Sequence, residues 1–261
     1  MAMSDLAIAL IIGCARSGTS ILGELVAAHP RVSFLFEAHA VWRVAGPGPD
    51  ESHRLVAAHA TPSVRTQIRE WFQRQRGAGA IVVEKNPRHI LRIPFIRAVF
   101  PEARIIHVIR DGRDVACSLM PGIGGNEWRH LKPPSWRSLL STYSGVERCA
   151  LAWKEILEIA LEDLADVPHL EVRYEHLVEQ PQQEAAAIVQ YLGLPEAPQM
   201  LAFCRNIQDT TVRSYQAKRQ SKWYRDDHER RTGRWRKNLT ATQQAAIQTT
   251  LEPLLRRLGY Q

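Results

Sequence analysis

The chain has 261 residues, 45% of them hydrophobic and 23% charged, a globular balance that excludes a disordered or collagen-like polypeptide. Lys and Arg number 34 against 27 Asp and Glu, and the formal charge of +7 suits an anionic partner without choosing among phosphate, sulfate, nucleic acid and a membrane surface. The length allows one large domain or two small ones, and we expect a single domain over residues 1–261.

In chain order the pattern alternates strands and helices. Residues 6–12 are a continuous apolar run, as expected of a strand buried on both faces. The run resembles a secretory signal core, but Asp5 precedes it and no basic n-region does, so we read it as a strand. A helix over residues 21–28 stops at His29-Pro30. Residues 32–36 are a second strand, 46–50 a loop, 65–76 a surface helix and 80–84 a third strand. Residues 88–100 have helical period, 104–109 form a fourth strand, and a further helix spans 114–120.

Residues 121–134 read as a loop, and 139–164 contain a long helix. Residues 169–174 are a fifth strand, 183–192 a helix closed by Gly193, and 211–237 a strongly basic stretch. Thr240 is an expected N-cap for a closing helix that runs to residue 258. Repeated strand–helix units imply an α/β fold, a parallel sheet with helices on both faces. Ligands of such sheets bind beyond the carboxyl ends of the strands.

The four cysteines, Cys14, Cys117, Cys149 and Cys204, are far apart and suggest neither a disulfide framework nor a zinc site. A reducing cytoplasm is the simplest setting. No apolar run approaches the ~20 residues of a membrane span.

Two stretches carry chemistry. Gly13, Arg16, Ser17, Gly18, Thr19 and Ser20 lie between the first strand and its helix. That context suits a phosphate-binding loop, in which free N–H groups and the helix dipole converge on an anion. The nucleotide-triphosphatase version needs Lys after the second glycine; here Thr19 stands there and the cation is Arg16. The second stretch follows the fourth strand: Arg110 at the strand end and Ser118 on the next helix can meet around one anion. On residues alone, Asp111 and Asp114 could instead pair with Arg110 and Arg113.

Together, Arg16-Ser17-Gly18-Thr19 and Arg110 through Ser118 resemble the 5′-phosphosulfate and 3′-phosphate motifs of sulfotransferases that use 3′-phosphoadenosine 5′-phosphosulfate. The resemblance continues through Glu84-Lys85-Asn86-Pro87, Phe100-Pro101, Val172-Arg173-Tyr174, Tyr191-Leu192-Gly193 and Gly233-Arg234-Trp235, and looks most like the bacterial and tyrosyl-protein branch. It implies a P-loop-like sheet, that donor as co-substrate, 3′,5′-adenosine bisphosphate as product, and no metal. It also implies roles: Arg16 and the loop on the 5′-phosphosulfate, Lys85 on the leaving oxygen, Arg110 and Ser118 on the 3′-phosphate, and Tyr174 on the adenine. Read without it, Lys85 is a solvated strand-end lysine and Tyr174 a core aromatic.

The acceptor needs a general base. Glu37, after the second strand, matches the acidic base of the Glu-using branch, and His39 competes by its ordinary pKa. If the segment stays extended, the two share a face. The cytosolic branch's histidine position holds Pro87, and His89 lies two residues beyond it. Among the C-terminal residues, Arg231, Gly233 and Arg234 are candidates for the 3′-phosphate, with Arg230 and Arg231 standing where the family often has a serine. The expected partner is a small-molecule or carrier-bound hydroxylated acceptor, before an amine, shaped by residues 42–60 and 121–138. Trp42, Trp128 and Trp136 either line an apolar pocket there or pack locally. The rival readings are a P-loop kinase, disfavoured by Thr19 after the second glycine, and a nucleic-acid-binding module, disfavoured by the lack of a stacking platform. Oligomeric state is not legible.

Overall fold

Strand side chains sort by alternation into two hydrophobic cores, one on each face of a sheet. The computed structural model describes residues 6–46, 48, 51–208 and 232–261. Strands β1 (Ile8–Gly13), β2 (Val32–Phe36), β3 (Ile81–Lys85), β4 (Arg104–Ile109) and β5 (His169–Arg173) form one parallel sheet in the order β2-β3-β1-β4-β5. Leu10, Val82 and Ile105 enter one core, while Ala9, Ile11, Val83 and Ile106 enter the other. Because both faces are covered, central β1 is apolar along its whole length, while β3 ends in Glu84-Lys85 and β4 carries Arg104 and His107.

The helices are α1 (Thr19–Ala27), α2 (His39–Trp42), α3 (Pro62–Gln75), α4 (Ile93–Val99), α5 (Gly112–Ile123), α6 (Trp136–Thr142) and α7 (Gly145–Asp163). They continue with α8 (Tyr174–Glu179), α9 (Pro181–Leu192), α10 (Pro198–Gln208), α11 (Trp235–Asn238) and α12 (Ala241–Arg257). One face of the sheet packs α1, α9 and α10 through Leu22, Leu25, Ile188 and Met200. The other packs α4, α5, α7 and α12 through Phe95, Val115, Trp153 and Leu251. The expected α/β architecture is therefore present.

One expected helix is broken. Residues 88–100 divide into a 3-10 turn, Pro87–Leu91, and α4, because Arg92 leaves helical geometry at φ −133° and Pro94 lies in the next first turn. Residues 139–164 do contain the expected long helix, α7, which begins after Tyr143 and Ser144 are extended and Gly145 takes φ +55°. Helix α5 continues past residue 120 to Ile123 with Pro121 inside it. Tyr174 opens α8 instead of ending the fifth strand. Thr240 does cap α12, in a reciprocal box with Gln243.

Central β1 has β3 on one side and β4 on the other, although β2 follows it in sequence. Connections therefore leave β1 and β4 toward opposite edges of the sheet, and ligands of open α/β sheets bind outside the carboxyl ends at such a switch point.

Candidate active site

The loop between β1 and α1 tightens through a hydrogen bond from Ser17 N to Cys14 O at 3.1 Å. Arg16 sits in the left-handed region at φ +74°, and Gly18 caps the helix at φ +97°. No side chain caps α1, so its first-turn N–H groups are left for another acceptor. Ser17 is buried, and its Oγ has no hydrogen-bond partner among the described residues. Thr19 is buried and Ser20 exposed on the first turn. An anion at this helix end would meet backbone donors, the helix dipole and an unused hydroxyl, as a phosphate-binding loop requires.

The two anion-binding stretches meet. Arg16 Nε donates to Ser118 Oγ at 3.0 Å, and Arg110 Nη1 donates to Arg16 O at 3.2 Å. Arg110 also stacks on the Tyr174 ring, with Cζ 4.2 Å from the centroid, and pairs with Asp114 at 3.5 Å. Tyr174 in turn covers Gly18: a Cβ placed there would lie 2.2 Å from Tyr174 Cδ2. Only glycine satisfies both the positive φ and that approach.

Gly233 and Arg234 arrive at the same place. Buried Asp114 accepts from Gly233 N at 2.8 Å and Trp235 N at 3.1 Å. Burial raises its carboxyl pKa, opposed by Arg110 and by these backbone donors. The Gly-Arg-Trp segment is thereby fixed beside Arg110. Arg231 lies outside the described residues, as does Arg230.

The third cluster lies at the ends of β2 and β3. Phe36 pairs with Lys85 in register. Lys85 is fully buried, forms an ion pair with Glu37, and places Nζ 3.6 Å from the centroid of the Phe36 ring. Glu37 adopts φ +48° and its N–H bonds Lys85 O at 2.9 Å. Its other oxygen lies 3.2 Å from His39 Nε2. Partial burial alone would raise the Glu37 carboxyl; the hydrogen bonds and charges of His39 and Lys85 outweigh it and hold the group at about 2. Thus Glu37 and His39 do meet, but not along an extended strand: the chain turns at Glu37 and His39 opens α2.

Sequence reasoning missed Phe36 and the role of Glu84. The alternative pairing of Asp114 with Arg110 and of Asp111 with Arg113 is present, both pairs are buried, and Asp111 also caps α5. Trp42 does not line a pocket; it is buried, with its indole donating to Glu84 at 2.9 Å. Trp128 and Trp136 pack edge to face at 6.1 Å and are also buried. His89 lies behind the site, 3.0 Å from Glu84.

The model of the sulfotransferase family matches residues 9–198, more than two thirds of the chain. This protein belongs to the sulfotransferase family. It is 27% identical over 167 residues to the omega-hydroxy-beta-dihydromenaquinone-9 sulfotransferase of Mycobacterium tuberculosis, a match covering 60% of this chain and 40% of that one. A nodulation protein of Sinorhizobium fredii is 25% identical, covering 97% of this chain and 66% of the relative. The protein-tyrosine sulfotransferase A of Caenorhabditis elegans is 23% identical, covering 70% of this chain and 49% of the relative. This family member thus spans two fifths to two thirds of the length of these curated relatives.

The fold is shared with a sulfotransferase from Mycobacterium avium, at a TM-score of 0.57 and 15% identity, covering 99% of this chain and 78% of that one. It is also shared with the sulfotransferase domain of the curacin biosynthetic pathway, at a TM-score of 0.55 and 18% identity, covering 76% and 78%. Among the described residues, no helix of this chain is long and apolar enough to cross a membrane.

Proposed function

We propose that the enzyme moves a sulfuryl group from 3′-phosphoadenosine 5′-phosphosulfate to a hydroxyl acceptor. The observation that carries this reading is the junction of the two anion-binding stretches, Arg16 Nε on Ser118 Oγ with Arg110 on the Arg16 carbonyl. A donor with phosphate groups at both its 5′ and 3′ positions uses two such stretches; a nucleotide with one phosphate chain uses one.

In this reading Ser17, Gly18, Thr19, Ser20 and Arg16 bind the 5′ end, with α1 supplying its N-terminal dipole. Arg110, Ser118, Gly233 and Arg234 bind the 3′-phosphate, with Arg231 a further candidate. Tyr174, already stacked on Arg110 and closing on Gly18, contacts the adenine. Lys85 stabilises negative charge as it builds on the leaving oxygen, an interaction concentrated in the transition state.

Glu37 takes the acceptor proton, and His39 orients it. In the arrangement seen here Lys85 and His39 keep Glu37 a weak base. When Lys85 turns to the donor's bridging oxygen, Glu37 loses that counter-charge and its basicity rises. Base strength is thereby tied to donor occupancy. Phe36, 55% exposed beside Lys85, offers the acceptor an apolar face.

Relatives named for a hydroxylated menaquinone and for protein tyrosine support a hydroxyl acceptor over an amine. The four cysteines are free and buried, which fits a reducing, cytoplasmic setting. The test is transfer from radiolabelled donor to a panel of octanol, para-cresol and octylamine. Label on either hydroxyl compound supports the reading. Label on the amine alone, or on none while ATP is consumed, overturns it.

A further inference from the structure

We propose that Glu84 is a positioning residue for catalysis, an obligatory acceptor that locks the Glu37–His39 turn against the sheet. The proposal rests on Glu37 as the base and adds a group that holds it in place.

Glu84 and Lys85 are neighbours on β3, so alternation sends them to opposite faces. Lys85 faces α1, where its Cβ lies near Gly23, and Glu84 faces the core that contains Trp42 and Phe95. There the carboxylate is fully buried. It accepts from Ala38 N at 3.0 Å, from Trp42 Nε1 at 2.9 Å to each oxygen, from Asn86 Nδ2 at 3.3 Å and from His89 Nε2 at 3.0 Å.

His89 Nδ1 is buried and has no partner among the described residues. Burial lowers the His89 pKa, against the pull of Glu84. The neutral ring with its proton on Nε2 satisfies both facts. Every group around Glu84 is then a donor, so only an acceptor-only side chain fits. A glutamine would turn two amide hydrogens toward donors and leave at least one of them unsatisfied.

The Ala38 bond gives this hub its catalytic meaning. Ala38 lies between Glu37 and His39. Glu37 holds an unfavourable φ of +48°, and His39 N bonds Glu37 O at 2.6 Å to close the turn. A left-handed non-glycine residue persists only where its surroundings over-determine it. The surroundings are Lys85 O on the Glu37 N–H and Glu84 on the Ala38 N–H, two successive residues of β3 gripping two successive residues of the turn. Glu84 therefore sets where the Glu37 carboxylate points, without touching substrate.

The test is a carboxyl titration of Glu37 by carbon NMR on glutamate-labelled, ligand-free protein, comparing wild type, E84Q and W42F. W42F removes one donor from the same cluster and leaves the Ala38 bond intact, so it reports the loss of a Glu84 hydrogen bond and of packing without the loss of the Ala38 link. In wild type and W42F, Glu37 stays ionised down to about pH 3. In E84Q the turn loosens, Glu37 parts from Lys85 and His39, and it titrates near the ordinary carboxyl value of about 4.3. Should E84Q fail to fold, E84D, which stays acceptor-only but falls short of Ala38 N, carries the same test.

Turnover on the responding alcohol of the panel supplies the second arm. We expect E84Q to lose at least tenfold in kcat with bisphosphate affinity within twofold, and the E37Q/E84Q double variant to be no slower than E37Q. An unmoved Glu37 titration in E84Q, or equal losses in E84Q and W42F, overturns the positioning role. Full activity in E37Q instead overturns the base assignment, a separate outcome.

Discussion

Glu37→Gln removes one charge from a pair whose other member, Lys85, is fully buried. A carboxyl held at about 2 rather than 4.5 contributes roughly 3 kcal/mol of stability at neutral pH before screening. The Glu37 side chain is 28% exposed, so about 1–2 kcal/mol is the working expectation. For a chain of this size that lowers Tm by several degrees. The sign follows from the direction of the shift. The folded pKa lies below the unfolded one, so the stabilisation is complete above about pH 4.5 and is lost as pH falls toward 2. The gap between wild type and E37Q should therefore be full at pH 7 and narrower, by up to about 1 kcal/mol, at pH 4.

Urea unfolding at the two pH values reads this gap directly, and calorimetry with 3′,5′-adenosine bisphosphate reads the ligand side. Wild type must split the Glu37–Lys85 pair when an anion claims Lys85; E37Q has no pair to split. E37Q should thus bind the bisphosphate at least as tightly as wild type while losing on the order of 10²–10⁴ in transfer rate. Equal stability of the two proteins at pH 7, a pH-independent gap, or weaker nucleotide binding by E37Q would refute the reasoning.

Gly18→Ala forces a Cβ into the Tyr174 ring at a φ of +97°, so bisphosphate affinity should fall at least tenfold and the fold should lose about 1–2 kcal/mol, both measurable by calorimetry and denaturant titration. Lys85→Ala should lower kcat far more than donor affinity, and a variant with normal turnover and only weaker binding would contradict the leaving-oxygen role. Burial holds His53 and His107 near 3 and His130 near 4, all below their unfolded value. Because the unfolded chain binds those protons first, stability should fall as pH drops below about 6.5, and His107→Leu should flatten the slope.

The sheet was legible because its strands are short, mostly apolar runs: residues 32–36 and 104–109 are β2 and β4 to the residue, despite Ser33 in the first and Arg104 and His107 in the second. Helix continuity was less so. Apolar period continues across Arg92, and the break there is a backbone event that periodicity does not register. At the site, Arg16, Arg110 and Ser118 were found because they follow strands. Their mutual contacts were not foreseeable, since they join residues about a hundred positions apart. The role of Glu84 escaped notice for another reason. A carboxylate in a strand reads as a polar interruption, and only the fold reveals four donors converging on it.

In the proposed reading, one site takes a nucleotide phosphorylated at both its 5′ and 3′ positions. Calorimetry of wild type and Arg110→Ala with 3′,5′-adenosine bisphosphate, 5′-AMP and magnesium-ATP tests it most directly. Charge-assisted hydrogen bonds contribute about 1.5–3 kcal/mol each, so wild type should prefer the bisphosphate over 5′-AMP by more than tenfold, and Arg110→Ala should lose most of that preference. Equal affinity of wild type for the bisphosphate and 5′-AMP, or tightest binding of magnesium-ATP, would contradict the account.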